Sequence, residues 1–196
     1  MTDIEAQVHE LAQAGAVDDA TTLAIKHYGP ELLGYLHAVA ANDDLATEAF
    51  AVGCESIWRA LERFRWEASL RTWMYSVMRN ALWALNKAPG RQAGRHLPAS
   101  MLDSIAEVAR TRTSPYQRTE VKDAFRELRA ALAPADHELL ILRLDRNMSW
   151  KDIARATAED DAAAANIDQR AAALRKRFER VKEELRDLAA ALGLLG

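Results

Sequence analysis

RFRWEASLRTWMYSVMRN, residues Arg63 to Asn80, is the stretch from which the rest of the chain can be read. Ser69 is a good helix N-cap and divides the string in two. Behind it, Leu70, Trp73, Met74, Val77, Met78 and Ala81, with Leu85 beyond, recur at three- and four-residue intervals, the period of one buried helix face. Arg71, Thr72, Tyr75, Ser76, Arg79, Asn80 and Trp83 are then expected on the other, non-core face. Ahead of Ser69, Phe64 and Trp66 alternate with Arg63 and Arg65 in a loop. Aromatic rings interleaved with guanidinium groups suit unpaired bases: each stacked base contributes roughly 1–3 kcal/mol while the cations hold the backbone. The plainer alternative is that the rings plug a helical bundle, and it fits Trp73, on the core stripe, outright.

Upstream, Phe50, Cys54, Ile57, Trp58 and Leu61 mark a helix from Asp43 to Glu62. Before it, Ala20 to Tyr28 reads as a helix interrupted at Gly29–Pro30. Leu32, Leu33, Tyr35, Leu36 and Val39 form the next apolar face. This first block runs from about Asp18 to Lys87. Downstream the pattern breaks from Ala88 to Pro115, where Gly, Pro, Ser and Thr mix with Arg91, Arg95, Arg110 and Arg112. Only Met101 to Val108 suits a short apolar helix there, and the stretch is read as an interdomain linker.

A second block starts near Tyr116. Val121, Phe125, Leu128 and Leu132 mark one helix, and Pro134 suits the first turn of the next, which carries Leu139 to Leu144 and ends at Asp145-Arg146-Asn147. Ser149-Trp150-Lys151-Asp152 opens a short capped helix ending near Ala158. The last helix is expected from about Asp168 to Leu192, stopped by Gly193, with Leu174, Phe178, Val181, Leu185, Leu188 and Leu192 as its seam. Its early turns carry Arg170, Arg175, Lys176, Arg177, Arg180 and Lys182 against the single acid Glu179. A short capped helix followed by a basic-fronted one is the order of a helix-turn-helix, whose second helix enters the major groove. A solvated charged face is the plainer alternative, and basic helices of that kind are common.

Composition bounds these readings. With 8 Gly and 5 Pro in 196 residues, and 49% hydrophobic residues, the chain favours helices with real cores. No apolar run reaches the roughly 18 residues of a membrane span, so no membrane insertion is expected. Met1 to Glu10 lacks the basic and apolar stretches of a signal peptide. One cysteine, Cys54, agrees with a reducing cytoplasm and lies on a core stripe, which favours packing over nucleophilic chemistry. The five histidines are scattered, no pair has helical metal spacing, and there is no Gly-rich phosphate loop. No catalytic residue, metal or cofactor is expected, and an enzyme is not. A net charge of −3 disfavours unaided duplex binding, which rests on neutralising phosphates, unless the basic residues are segregated. Here they are.

Arg63 to Asn80 resembles the "RFR-x-EAS-x-RTW-x-Y" stretch of the extracytoplasmic-function (group IV) sigma factors of the sigma-70 family, and the second block resembles their region 4. The resemblance covers most of residues 20–87 and 117–188. It implies an all-α protein of two small helical domains joined by a flexible linker: region 2 over 1–87, the linker over 88–116 and a helix-turn-helix region 4 over 117–196. It implies a cytoplasmic, nucleoid-associated transcription initiation factor that binds core RNA polymerase, at the clamp helices of the largest subunit and the flap of the second-largest, and opens promoter DNA. An anti-sigma factor is a further implied partner.

By the same resemblance, Phe64, Arg65, Trp66, Glu67, Ser69, Arg71, Thr72, Tyr75, Ser76, Arg79, Asn80 and Trp83 would meet the −10 element. Arg170, Arg175, Lys176, Arg177 and Arg180 would meet the −35 element, and Glu48, Glu55, Arg59 and Glu62 the polymerase. Two departures stand out: Glu48-Ala49-Phe50-Ala51-Val52 replaces the usual acidic-glutamine motif, and Glu159 to Asn166 lengthens the helix-turn-helix turn. A helix-turn-helix regulator working without polymerase, or a helical adaptor binding no DNA, are the alternatives.

Overall fold

The computed structural model describes residues 2–87, 108, 131–158 and 165–191. The chain forms two compact units, Met1–Ser114 and Pro115–Gly196. All regular elements among the described residues are helical.

The described residues of the first unit form a helical bundle. Helix α1, Asp3–Gln13, lies ahead of the block expected from about Asp18, and local chemistry accounts for it. Thr2 Oγ1 accepts from the Glu5 amide and Glu5 Oε2 accepts from the Thr2 amide, each at 3.3 Å, a complete capping box. Val8 anchors the helix in the core.

Helix α2 spans Val17–Val39 without the interruption expected at Gly29–Pro30. Proline inside a helix costs about 3 kcal/mol through a lost amide bond and a ring clash. Ile25, Leu32, Leu33, Tyr35 and Leu36, all essentially buried, lie on both sides of Pro30. At about 1.5–3 kcal/mol for each fully buried aliphatic or aromatic side chain, their burial outweighs the defect. Gly29 has its own packing reason: a Cβ there would press on Val108 Cγ2 at 3.0 Å and Phe50 Cζ at 3.4 Å. Val108 is thus a buried helical residue packed on α2, at the end of the short helix expected over 101–108. The remainder of that stretch lies outside the described residues.

Helix α3, Asp43–Ala60, is capped by Asn42, whose Oδ1 accepts from the Leu45 amide at 2.8 Å, and ends in a 3-10 turn, Leu61–Arg63. Helix α4, Leu70–Lys87, packs on α2 and α3. Its approach to α3 is close because Gly53 leaves room for Met78; a Cβ at 53 would overlap the Met78 sulfur. Cys54 is fully buried, and burial pushes its thiol pKa well above the ordinary range, so it is packing rather than a nucleophile.

The second unit contains α5, Pro134–Leu140, which widens into a π-type turn at Ile141–Asp145 and stops at Asn147, in the left-handed region at φ 49°. Helix α6, Trp150–Ala156, begins at the expected cap: Ser149 Oγ accepts from the Asp152 amide at 3.1 Å. Helix α7, Ile167–Ala191, lies against α5 and α6 and starts within a residue of the expected last helix. Leu139, Ile141, Met148, Ile153, Phe178 and Val181 form the core, closed by Trp150 edge-on to Phe178 at 5.3 Å. The helix expected from Val121 to Leu132 lies outside the described residues except at its end, where Leu132 is buried. Leu192 and Gly193 also lie outside them.

Candidate nucleic-acid interface

Between the 3-10 turn and α4, the loop from Phe64 to Ser69 carries a row of rings. Phe64 stacks on Trp73 with centroids 4.6 Å apart and planes 19° from parallel. Trp66 lies 4.9 Å from Phe64 on one flank and 4.4 Å from His9 of α1 on another. The backbone of Trp66 is left-handed, φ 58°, a conformation that costs a bulky residue of order 1–3 kcal/mol and persists only when surrounding contacts enforce it. Phe64, Trp66 and Trp73 are half-buried, so the row belongs partly to the core and partly to the surface. Trp73, expected as plain core, is thus a member of the ring row. Arg65 and Glu67 are exposed and face each other across the loop at 3.4 Å.

Ser69 does what its position suggested: its Oγ accepts from the Thr72 amide at 3.1 Å and caps α4. A second cap comes from α1. Glu5 Oε1 accepts from the Arg71 amide at 3.3 Å, so one buried carboxylate serves the starts of two helices.

The face of α4 expected to be non-core divides. Ser76 is half-buried, Asn80 is exposed, and Trp83 is 37% exposed with the Arg79 guanidinium 4.0 Å above its ring. Thr72, Tyr75 and Arg79, in contrast, are only 2%, 1% and 5% exposed, which corrects the placement read from periodicity. Helix α4 packs on both α2 and α3, and Tyr75 joins a polar network with Arg71 inside the bundle. Glu31 of α2 accepts from Arg71 Nε at 3.2 Å, from Arg71 Nη2, and from the Tyr75 hydroxyl at 2.8 Å. Burial works against the Arg71 charge, but the Glu31 carboxylate more than offsets it and holds the guanidinium pKa above its usual value. Tyr75 also meets Tyr35 edge-on at 5.1 Å.

Of the set assigned to polymerase docking, Glu48 and Glu55 are half-buried on α3, Arg59 is exposed and ion-paired with Glu55 one turn away, and Glu62 is exposed in the 3-10 turn.

In the second unit, the first turns of α6 and α7 flank an open groove. The Lys151–Asp168 ion pair, at 2.6 Å, bridges it and lowers the Asp168 pKa. Arg175, Lys176 and Arg180 are exposed. The other two cations of the expected set have structural partners. Arg170 Nη2 donates to the Thr157 carbonyl at 3.1 Å and closes the end of α6. Arg177 Nε donates to Asp136 Oδ1 at 2.5 Å, which ties α7 to the first turn of α5 and raises the Arg177 pKa.

Sequence reasoning does not find Glu5, His9 and Glu31 as members of this site. Thr2-x-x-Glu5 is a readable capping signal; nothing local marks His9 or Glu31. Among the described residues no helix is long and apolar enough to cross a membrane, and no group of three metal-binding side chains converges.

Residues 24–83 match the family model described as Sigma-70 region 2. That span contains α4 through Trp83, the ring-bearing loop and Glu31, but not α1. Among solved structures, the chain is similar to the sigma factor RpoE of Bartonella quintana, crystallised in complex with the anti-sigma factor NepR. The TM-score is 0.59 at 16% identity, over 85% of this chain and 94% of that one, a likeness of fold. No curated protein matches the chain.

Proposed function

We infer that this chain is an alternative sigma factor: residues 24–83 make it a sigma-70 family protein, and it acts in transcription initiation as a DNA-binding subunit. One observation carries the reading. Inside the matched region, a strained loop presents Trp66 and Phe64 beside Arg63 and Arg65, the combination that holds unpaired bases by stacking and backbone neutralisation. A duplex hides its bases, so a protein that opens one needs such a place to keep them.

The residue-level assignments are proposals. Residues 1–87 dock on core polymerase through the α3 flank that bears Glu48, Glu55, Arg59 and Glu62. Residues 88–116 connect the blocks, and residues 117–196 read the −35 element as a helix-turn-helix, with Arg175, Lys176 and Arg180 as the exposed cations of α7. Phe64, Trp66, Asn80 and Trp83 take the −10 strand. Buried Thr72, Tyr75 and Arg79, with Arg71, support that surface from beneath. The protein works without catalysis of its own, in the cytoplasm on the nucleoid. Its net charge of −3 suits a subunit that meets DNA when polymerase holds it there. By its fold it also resembles a protein crystallised with an anti-sigma factor, so an anti-sigma partner is proposed here too.

In vitro transcription with core polymerase on a genomic promoter library tests this directly. Discrete transcripts that depend on the added chain are expected. No transcript, together with no co-elution with core polymerase at about micromolar concentration, overturns the reading. Tight sequence-specific duplex binding without polymerase would favour an ordinary regulator instead.

A further inference from the structure

Helix α1 lies outside the matched region, yet His9 touches the Phe64–Ser69 loop and Glu5 the first turn of α4 directly behind it. Glu5 and His9 are one turn apart, on the same side of the helix. Glu5 is 4% exposed; it accepts the Arg71 amide and thereby fixes the first turn of α4. His9 places its ring 4.4 Å from Trp66, the residue with the strained backbone. Phe64 touches Trp66 from within the loop, but His9 is the ring partner that comes from another element. A strained conformation needs contacts that over-determine it, and a loop cannot supply all of them itself. One contact from outside the loop comes from α1, which is stiffened by its capping box and anchored by Val8.

We propose that α1 is a working part of the promoter-reading site: Glu5 and His9 are positioning residues that hold the Phe64–Ser69 loop ready to stack an unpaired DNA base. The chain then has a preformed base slot. The ordering cost of the loop falls on folding rather than on binding, which strengthens capture of the strand. This rests on the reading of the chain as a sigma factor, and the experiment separates the two.

Holoenzyme made with the full-length chain is compared on one promoter recovered from the library, with permanganate reactivity of unpaired thymines as the readout. His9→Ala is expected to reduce the open fraction by up to about tenfold, the upper scale of losing one aromatic side-chain pair, while core binding and closed-complex formation stay at the wild-type level. His9→Phe keeps a ring and is expected to stay within about twofold of wild type. Wild-type opening by His9→Ala, or equal loss in His9→Ala and His9→Phe, overturns the role of His9. So does a loss of core binding that parallels the loss of opening, since that marks a bundle defect.

Amide hydrogen exchange on the free protein reads the positioning without polymerase. Glu5→Ala is expected to speed exchange at Arg71 about tenfold or more, and unchanged exchange overturns the role of Glu5. A wild-type chain that opens no promoter sinks the sigma-factor reading, whereas the exchange result still decides whether Glu5 of α1 fixes the first turn of α4, on which the loop ends.

Discussion

Two helices carry arginine-rich faces, and they use them in opposite ways. In α4 the guanidiniums turn into the first unit: Arg71 is bonded to Glu31, and Arg79, 5% exposed, covers the Trp83 ring. In α7, Arg175, Lys176 and Arg180 face solvent, and Arg170 and Arg177 alone among the expected readers are tied to other elements. A basic helix is therefore not one kind of object. Partners elsewhere in the fold decide whether a cation is a structural tie or is left for phosphate and base edges. In α4 the ties hold up a ring-bearing surface, the kind of surface proposed above for unpaired bases; in α7 the cations are left to solvent, as the proposed duplex contact requires, since phosphate contacts dominate duplex affinity.

The contrast breaks most decisively at Glu31. Replacing it with Ala leaves the Arg71 charge and the Tyr75 hydroxyl without their shared carboxylate. Both partners of the ion pair keep about a quarter of their surface, 27% and 29%, so the loss is below that of a fully buried pair. A destabilisation of about 2 kcal/mol is expected, read as a lowered urea midpoint, with Glu31→Gln intermediate. An unchanged midpoint would place Arg71 with the solvent-facing cations.

Arg177→Ala tests the exception in α7. Its ion pair with Asp136 is 39% and 16% exposed, so screening reduces its worth to about 1 kcal/mol, again seen as a lowered midpoint. A substitution that costs DNA affinity but no stability would return Arg177 to the reading set.

Arg175→Ala with Arg180→Ala should leave stability within about 0.5 kcal/mol. Its effect belongs to DNA: weaker −35-dependent recruitment, and a salt slope shallower by about one for each phosphate no longer neutralised. A salt slope unchanged from wild type would move −35 recognition off α7.

The smallest effect concerns the tie across the α6–α7 groove. Lys151 holds the Asp168 carboxyl below its usual range, so the pair's contribution is present above the ordinary Asp pKa and is lost as pH falls through the lowered folded value. The melting temperatures of wild type and Asp168→Asn should differ slightly at neutral pH and converge as pH falls below the lowered Asp168 value. A gap that widens on acidification would contradict the sign.

Much of the fold is legible in the sequence because helix chemistry is local. Ser149 and Ser69 cap the helices they precede, and the 3.6-residue period finds the stripes of α3, α4 and α7. The capping box at Thr2 and Glu5 is equally local, and α1 is within reach of the same reasoning. The break expected at Pro30 shows the limit: a local penalty is outweighed by core residues on both flanks. The face of α4 shows another. A period identifies one buried stripe, but α4 meets α2 and α3 and is capped from α1, so Thr72, Tyr75 and Arg79 are buried as well. Periodicity cannot count a helix's neighbours.

By itself, the sequence determined α3 to α7 and the loop where Phe64 and Trp66 alternate with arginines, because caps, apolar periods and turn residues act over a few positions. Tertiary structure alone decided which arginines remain available and what holds Trp66 in its strained form. Those outcomes depend on partners far away in the chain: Glu31 lies 40 residues from Arg71, and Glu5 lies 66 from the amide it caps. No local rule encodes such pairings; they exist once the bundle has brought α1, α2 and α4 together.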